Sequence, residues 1–539
     1  MKLHRILCLL ITAFLASGPV HAVENNSSIV YPGADGKLVY IPDVSGNSIP
    51  DFSHAGYGGG GIALPYVPVK ETVWPVTGDN APHIQAAIDR VSALAQDEYG
   101  FRGAVLLKKG WYTLDSPLYV AAIGVVLRGE GQNADGTVLF GRGKITRETL
   151  YDMHFDANLV IVHGSAGKED LSKSAVEITD TYVPVGSRLF NVESSKDFSV
   201  GEKVIVRRRS NDEWFRIMGK SNLKWKETTR TLPKHYDFDR IITAVDGTRI
   251  TVDAPITVAI EDRFGGGEIV PYNDPGRLYT VGIENLRGES DFDRTVRSTE
   301  YGNMDRSPYY GEEYYADEKH YWNFIHIDNA VNVWVRNVTA CHFAGSAIFL
   351  GQSAKWVTVQ DCESVEPVSN CQGLRRYTFQ ICGQLCLVQR CESKKGRHTF
   401  VMGGFQTCGP NVFLDCIEHQ KYGSSEPHMS LVSGALYDNV NTAITLRYAQ
   451  SSVPRWMSIN STLWNCEGMF LCQKPPVGQN YVFGQIGIHA MIFNKNLLDY
   501  NKPQGFIESW DRHVSPRSLY HAQLADRLGE GTAEVTTPR

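Results

Sequence analysis

Val357-Thr358-Val359-Gln360-Asp361-Cys362, Cys386-Leu387-Val388-Gln389-Arg390-Cys391 and Val412-Phe413-Leu414-Asp415-Cys416 are three versions of one phrase, and Trp334-Val335-Arg336-Asn337-Val338 precedes them as a fourth. Each is a short run of β-branched and apolar residues closed by one polar residue. Those closing residues, Asn337, Asp361, Arg390 and Asp415, follow one another at steps of 24, 29 and 25 positions. Irregular steps of that size are what a solenoid produces when its coils share a core and differ in the loops they extrude. The Leu-x-x-Leu-x-Leu pattern of a leucine-rich repeat is missing. Asn and Asp at the closing positions read as turn residues that bond the backbone.

Cysteine falls at one point of the phrase, at 362, 391 and 416 and again in Leu463-Trp464-Asn465-Cys466. Recurrence there predicts an interior stack of thiols acting as small hydrophobes, with disulfides as the alternative in an exported chain. Cys382 and Cys386 are separated by three residues, which is not zinc-type CxxC spacing.

Working outward from the repeats, Gly78-Asp79-Asn80-Ala81-Pro82 leads into His83-Ile84-Gln85-Ala86-Ala87-Ile88-Asp89-Arg90-Val91, with apolar residues at 84, 87, 88 and 91. Turn, early proline and period mark one short amphipathic helix. Strand-like pieces follow at 104–107, 110–114, 118–120 and 124–131, divided by Gly and Pro. This opening, with Gly110-Trp111-Tyr112 and Val125-Val126-Leu127-Arg128-Gly129-Glu130-Gly131, resembles the start of pectate-lyase-superfamily proteins. The phrases Trp464-Asn465-Cys466, Gly478-Gln479-Asn480-Tyr481 and Pro516-Arg517-Ser518-Leu519-Tyr520 are similar to a bacterial branch of that superfamily. The resemblance covers roughly residues 45–530. It implies an all-β fold, a right-handed parallel β-helix with an amino-terminal capping helix, to which the changed pattern of about 180–270 adds an inserted small β-module.

The expected organisation is a signal peptide at 1–22, an arm at 23–75, first coils at 76–180, the inserted module at 181–270, main coils at 271–490, and a carboxy-terminal cover and tail at 491–539. Alternating segments with compact turns, such as Val200-Gly201-Glu202-Lys203-Val204-Ile205-Val206, mark the module as antiparallel. Its Trp214 and Trp225 are candidates to touch substrate. Lys2, Arg5, the apolar run 6–16 and Val20-His21-Ala22 form an export signal, so the chain is expected outside the cytoplasm, secreted or periplasmic. That run is too short for an ordinary membrane span, and no membrane partner is expected. With 53 basic and 59 acidic residues intermixed and a net charge of −6, nothing in the total points to nucleic acid.

Stacked coils turn a recurring residue into a stripe with a spacing of about 4.8 Å, able to track a linear polymer. Arg376-Tyr377-Thr378-Phe379 superposes on Arg397-His398-Thr399-Phe400, and His428-Met429-Ser430-Leu431 is read as a third copy. With Phe379, Phe400 and Leu431 inward, alternation sends Tyr377, His398 and Met429 to that same side and Arg376, Arg397 and His428 outward as a cationic stripe, while a side chain near a strand end can swing round the corner and bring His398 to solvent. Arg376 is the candidate to neutralise a carboxylate, His398 the base, and His428 the group that protonates a leaving oxygen, with Tyr377 in reserve. Arg397, Lys395, Glu318 and His320 are candidate substrate contacts. The expected partner is a polysaccharide, acidic by the sign of the stripe. No cofactor is required by these residues, and calcium stays open.

Three readings follow: a lyase eliminating across a uronic acid, which needs a cation, a base and an acid; a glycoside hydrolase, which needs two carboxylates and has Asp361, Glu363, Glu392 and Asp415 to draw on; and a glycan-binding β-helix without catalysis. The lyase is the first expectation.

Overall fold

A computed structural model describes residues 25–143, 157–166, 169–170, 174–218, 235–302, 307–403, 407–428, 431–449, 456–489 and 501–532. The expected signal peptide, Trp225 and Met429 lie outside these residues.

Three ladders of parallel strands wind around one core. The first begins with Val69–Val73, Gly103–Leu107 and Val125–Arg128, runs through Lys355–Gln360, Leu387–Gln389 and Cys408–Leu414, and ends at Phe506–Glu508. The second contains Gly110–Leu114, Thr137–Gly141, Glu363–Val365, Glu392–Lys394 and Ile417–His419. The long strands Leu278–Ser290 and Ala330–Cys341 serve the first ladder with one half and the second with the other. The third ladder is Leu118–Val120, Asn158–His163, Asn323–Asp328, Ile348–Leu350, Phe379–Ile381, Phe400–Gly403 and Pro427–His428. Helix Ala81–Ser92 closes the amino-terminal end by burying Ile84, Ala87, Ile88 and Val91 against the first coils.

Each coil bends between the first and second ladders through one left-handed residue: Asn285, Asn337, Asp361, Arg390, Asp415, Asn439 and Asn465 have φ between 50° and 57°. Short Asn and Asp side chains tolerate that conformation and bond locally, which is why they recur. Asn337 Nδ2 donates to Asn285 Oδ1 at 2.9 Å, one coil away. Arg390 departs from the pattern and instead clamps Asp361 at 2.7 and 3.0 Å.

Inside the bend, Cys362, Cys391, Cys416 and Cys466 are buried free thiols, as are the other six cysteines of the described chain. The stacked-thiol expectation is correct. Burial pushes the Cys391 and Cys416 thiols well above their ordinary range, so they stay protonated and inert. Phe379 and Phe400 stack on one another in the core, centroids 5.7 Å apart.

The inserted module is antiparallel, built on Lys203–Arg209, His235–Asp246, Arg249–Val252 and Gly267–Asn273. Buried Asp239 joins it to the coils by accepting Lys355 Nζ at 2.8 Å and Arg277 Nη1 at 3.0 Å. Trp214 is buried under the Arg208 guanidinium in the module core, which removes it as a substrate contact. The amino-terminal arm and a helix at Leu519–Leu528, where the sequence predicted only a cover, pack on the outer face of the first ladder through Phe52, Leu436, Trp464 and Leu524. That face is therefore closed to a polymer.

Candidate functional site

On the third ladder, Tyr377 and His398 occupy matching positions of successive coils, and their rings are 5.3 Å apart. Between Glu426 and His428 lies one residue of an extended strand, so both side chains leave the same face. His428 Nδ1 lies 2.5 Å from Glu426 Oε1, and the His428 ring sits 4.6 Å from that of His398 and 5.4 Å from that of Tyr377. Glu426, His398 and His428 thus converge, and none of the three side chains is more than 12% exposed.

The register that brings them together differs from the expected one. Met402 lies opposite Pro427 and Gly403 opposite His428, so His428 is not in line with Arg376 and Arg397. The place facing Phe400 is held by buried Ser425, whose Oγ accepts the Phe400 amide. Without an apolar residue there, the pattern slides on to Leu431, which packs instead with the module.

Electrostatics divide the cluster into fixed charges and neutral rings. Glu426 is buried, and burial alone would raise its pKa, yet Arg447 and the two histidines hold it well below the usual carboxylate range. Arg447 grips it with Nε at 2.7 Å and Nη2 at 2.9 Å, and Thr445 adds a hydroxyl at 2.6 Å. Burial, reinforced by the Arg397 charge, drives His398 well below the ordinary imidazole value. His398 Nδ1 contacts the Ser424 carbonyl at 2.5 Å. A carbonyl only accepts, so Nδ1 carries the proton and Nε2 presents a bare lone pair. Among the described residues Nε2 is buried without a hydrogen-bond partner, 3.7 Å from Glu426 Oε1. His428 is also lowered by burial, against the opposing pull of Glu426.

Arg397 lies over the Tyr377 ring at 5.8 Å, with Nε and Nη1 buried and unbonded among the described residues. Arg376, expected to face outward, is only 1% exposed. Its guanidinium donates to the carbonyls of Ser369, Lys395 and Tyr315 and lies against Tyr314 and Tyr422. Outward placement of Arg376 is corrected: the bend before Phe379 turns its side chain into the loop stack, where it satisfies backbone acceptors. Glu318 accepts Arg375 Nε at 2.6 Å and Nη2 at 2.9 Å and both Asn370 donors. His320 is buried between Ser290 and the carbonyls of Asp317 and Val368. Lys395 pairs with Glu366 at 3.1 Å. These three are committed to local structure. Glu426 and Arg447 were not singled out from sequence. Glu426-Pro427-His428 carried a signal, an acid two residues from a histidine on a strand, whereas nothing local marks Arg447.

His398, Glu426 and His428 offer ligand atoms within 4.8 Å of one another, enough for a transition metal. Two fixed guanidiniums, Arg447 and Arg397, surround that point and oppose a dication. Calcium, which takes six to eight oxygens, does not suit a set of two imidazoles and one carboxylate.

No protein-family model matches the chain, and no curated protein matches it in sequence. Solved structures with similar coils include the tailspike protein gp49 of Pseudomonas phage LKA1, at 12% identity and TM-score 0.40 over 76% of this chain and 56% of that one. The endo-xylogalacturonan hydrolase of Aspergillus tubingensis is similar at 12% identity and TM-score 0.33, over 82% of this chain and all of the other. An iota-carrageenase complexed to iota-carrageenan fragments is similar at 6% identity and TM-score 0.30, over 79% and 59%. The chain spans little more than half the length of the phage tailspike it matches. By its own three ladders it is a right-handed parallel β-helix, the architecture that the resemblance to the pectate-lyase superfamily implied.

Proposed function

We propose that the chain is an exported enzyme acting on an acidic polysaccharide, and that it cleaves by elimination across a uronic acid at the His398–Glu426–His428 cluster. The observation that carries this reading is the pairing of a neutral imidazole with an arginine, Arg397, where among the described residues the imidazole Nε2 and two arginine donors have no hydrogen-bond partner. In this reading the uronate carboxylate takes the Arg397 donors, which stabilises charge developing at the adjacent carbon. His398 Nε2 removes the C5 proton, the C–H electron pair becomes the C4–C5 double bond, and the C4–O bond breaks. The leaving oxygen takes a proton from Tyr377, whose hydroxyl accepts the Leu374 amide and keeps its own hydrogen to give; His428, neutral with its one proton on the Nδ1 that faces Glu426, does not fill the acid role the sequence reading gave it. Glu426, anchored by Arg447, holds the His428 imidazole in place, and the Ser424 carbonyl holds that of His398. Arg397 replaces Arg376 as the carboxylate-binding cation of the sequence reading.

A hydrolase needs a carboxylic acid and a second carboxylate within about 5 to 9.5 Å. Glu426 is held ionised and fully paired, which disfavours it as the proton donor. Cleavage of the export signal after Ala22 belongs to the same proposal; among the described residues no helix is long and apolar enough to cross a membrane.

The test is incubation with polygalacturonate, alginate, hyaluronan and neutral glucans while following ultraviolet absorbance and reducing ends. Elimination gives both signals on a uronate polymer, and His398→Ala abolishes them by about 10² to 10⁴ without unfolding the protein. New ends without absorbance would replace the lyase by a hydrolase, and neither signal would leave binding alone.

A further inference from the structure

The outward row of the third ladder that ends at Glu426 can be followed back through Val401, Gln380, Phe349, His326 and Ile161 to Tyr119, one residue per coil. Six steps at the ordinary strand spacing place Tyr119 about 29 Å from the cluster on the same face. There the surface opens into a cavity of about 730 Å³ whose wall includes Arg102, Tyr119, Ile123, Ile161, His163 and Leu278.

Two features of this cavity suit a sugar. Tyr119 is 40% exposed and stands beside apolar Ile123 and Leu278 in the cavity wall, the kind of aromatic surface that the C–H face of a pyranose packs on. Arg102, half-buried, spends Nε on the Ile123 carbonyl at 3.0 Å and Nη1 on the Leu94 carbonyl. Those bonds fix the guanidinium and leave Nη2 without a partner among the described residues. A pre-positioned cation beside an aromatic wall is a combination that binds a carboxylated ring with little ordering cost.

We propose that this cavity is a distal subsite that holds one unit of the same acidic glycan, with its ring on Tyr119 and its carboxylate on Arg102. The proposal rests on the reading of an acidic polysaccharide substrate and extends it: the enzyme engages long polymer at two points of one face. The physical reason is effective concentration, since a chain anchored at the cavity presents its downstream units to the cluster as an intramolecular partner.

The experiment is affinity electrophoresis of the full chain through gels cast with polygalacturonate, alginate or hyaluronan, paired with turnover of polymer and of short oligosaccharides of the same sugar. Wild type and His398→Ala should be retarded alike by at least one polymer, whereas Tyr119→Ala and Arg102→Gln should each lose roughly tenfold in apparent affinity. In both variants KM for polymer should rise by a similar factor while turnover of short oligosaccharides stays at the wild-type value. Arg102→Gln also removes two backbone contacts, so Tyr119→Ala with an unchanged melting temperature is the decisive variant. Retardation of wild type that depends on Tyr119, with no turnover of any substrate, would leave the subsite standing and sink the lyase reading. Normal polymer affinity and KM in the Tyr119 variant would overturn the subsite and leave the lyase reading intact. Absence of retardation in all three gels would overturn the subsite as well.

Discussion

Glu418 gives the protein a stability that falls as pH rises. Its carboxyl is 4% exposed and accepts hydroxyl donors from Thr399 and Thr442, the latter at 2.6 Å. Burial raises its pKa to about 7, beyond what those hydroxyls offset. An acid whose folded pKa lies above its unfolded value of about 4.3 contributes stability that is complete below the lower value and lost as pH climbs through the upper one. A gap of roughly 2.5 units corresponds to about 3 kcal/mol lost between pH 4.5 and pH 8. Asp438 acts in the same direction: burial raises it to about 7 although Ser518 Oγ and the Tyr520 amide donate to it. In Glu418→Gln the amide oxygen keeps one threonine bond and the amide nitrogen donates to the other hydroxyl, so shape and bonding survive while the titration disappears. Urea unfolding of wild type and Glu418→Gln at half-unit steps from pH 4.5 to pH 8 should show the variant losing about 3 kcal/mol less across that window. An identical slope in the two proteins would refute the assignment of a buried, protonated Glu418.

Asn465 holds a left-handed turn with φ 50° and binds the carboxy-terminal cover through Nδ2 to the Val514 and Arg517 carbonyls and Oδ1 to the Val514 amide. Asn465→Ala should cost roughly 3 to 4 kcal/mol, and Asn465→Gly should recover about 1 of these by removing the backbone strain; chemical unfolding and protease sensitivity near residue 514 would check both. The thiol stack should behave as packing: a thiol reagent should find none of the ten described cysteines in the native protein and all of them in urea. Cys391→Val, a near-isosteric exchange, should change stability by less than about 1.5 kcal/mol, and a larger loss would mean the sulfur does more than fill space.

The coil was legible because its bend is chemically costly to make from arbitrary residues. A left-handed position admits few side chains comfortably, so Asn337, Asp361, Asp415 and Asn465 had to recur, and the cysteines behind them marked the interior. At the third ladder the same logic weakens. Ser425 replaces an aromatic residue in the inward row, and the strand is only two residues long, so neither turn chemistry nor apolar period fixes its register. Sequence reading nevertheless joined His398 to His428, though by the wrong alignment, because both histidines lie on neighbouring coils of this ladder. Arg376 failed for a different reason. Alternation describes strands, and Arg376 has φ 56°, in a bend just before one, where a backbone turned left-handed redirects the side chain into the loops. Arg397, aligned with Arg376 one coil later, keeps unbonded donors, so one register position supplies a structural arginine in one coil and the candidate substrate cation in the next. The difference lies in what each coil extrudes: the loops carrying Tyr315 and Ser369 bring carbonyls to Arg376, and among the described residues no such acceptors reach the buried Arg397 donors. In a β-helix the coil sets position and the loops set availability, so a site is read by asking which aligned polar groups the loops have left unsatisfied.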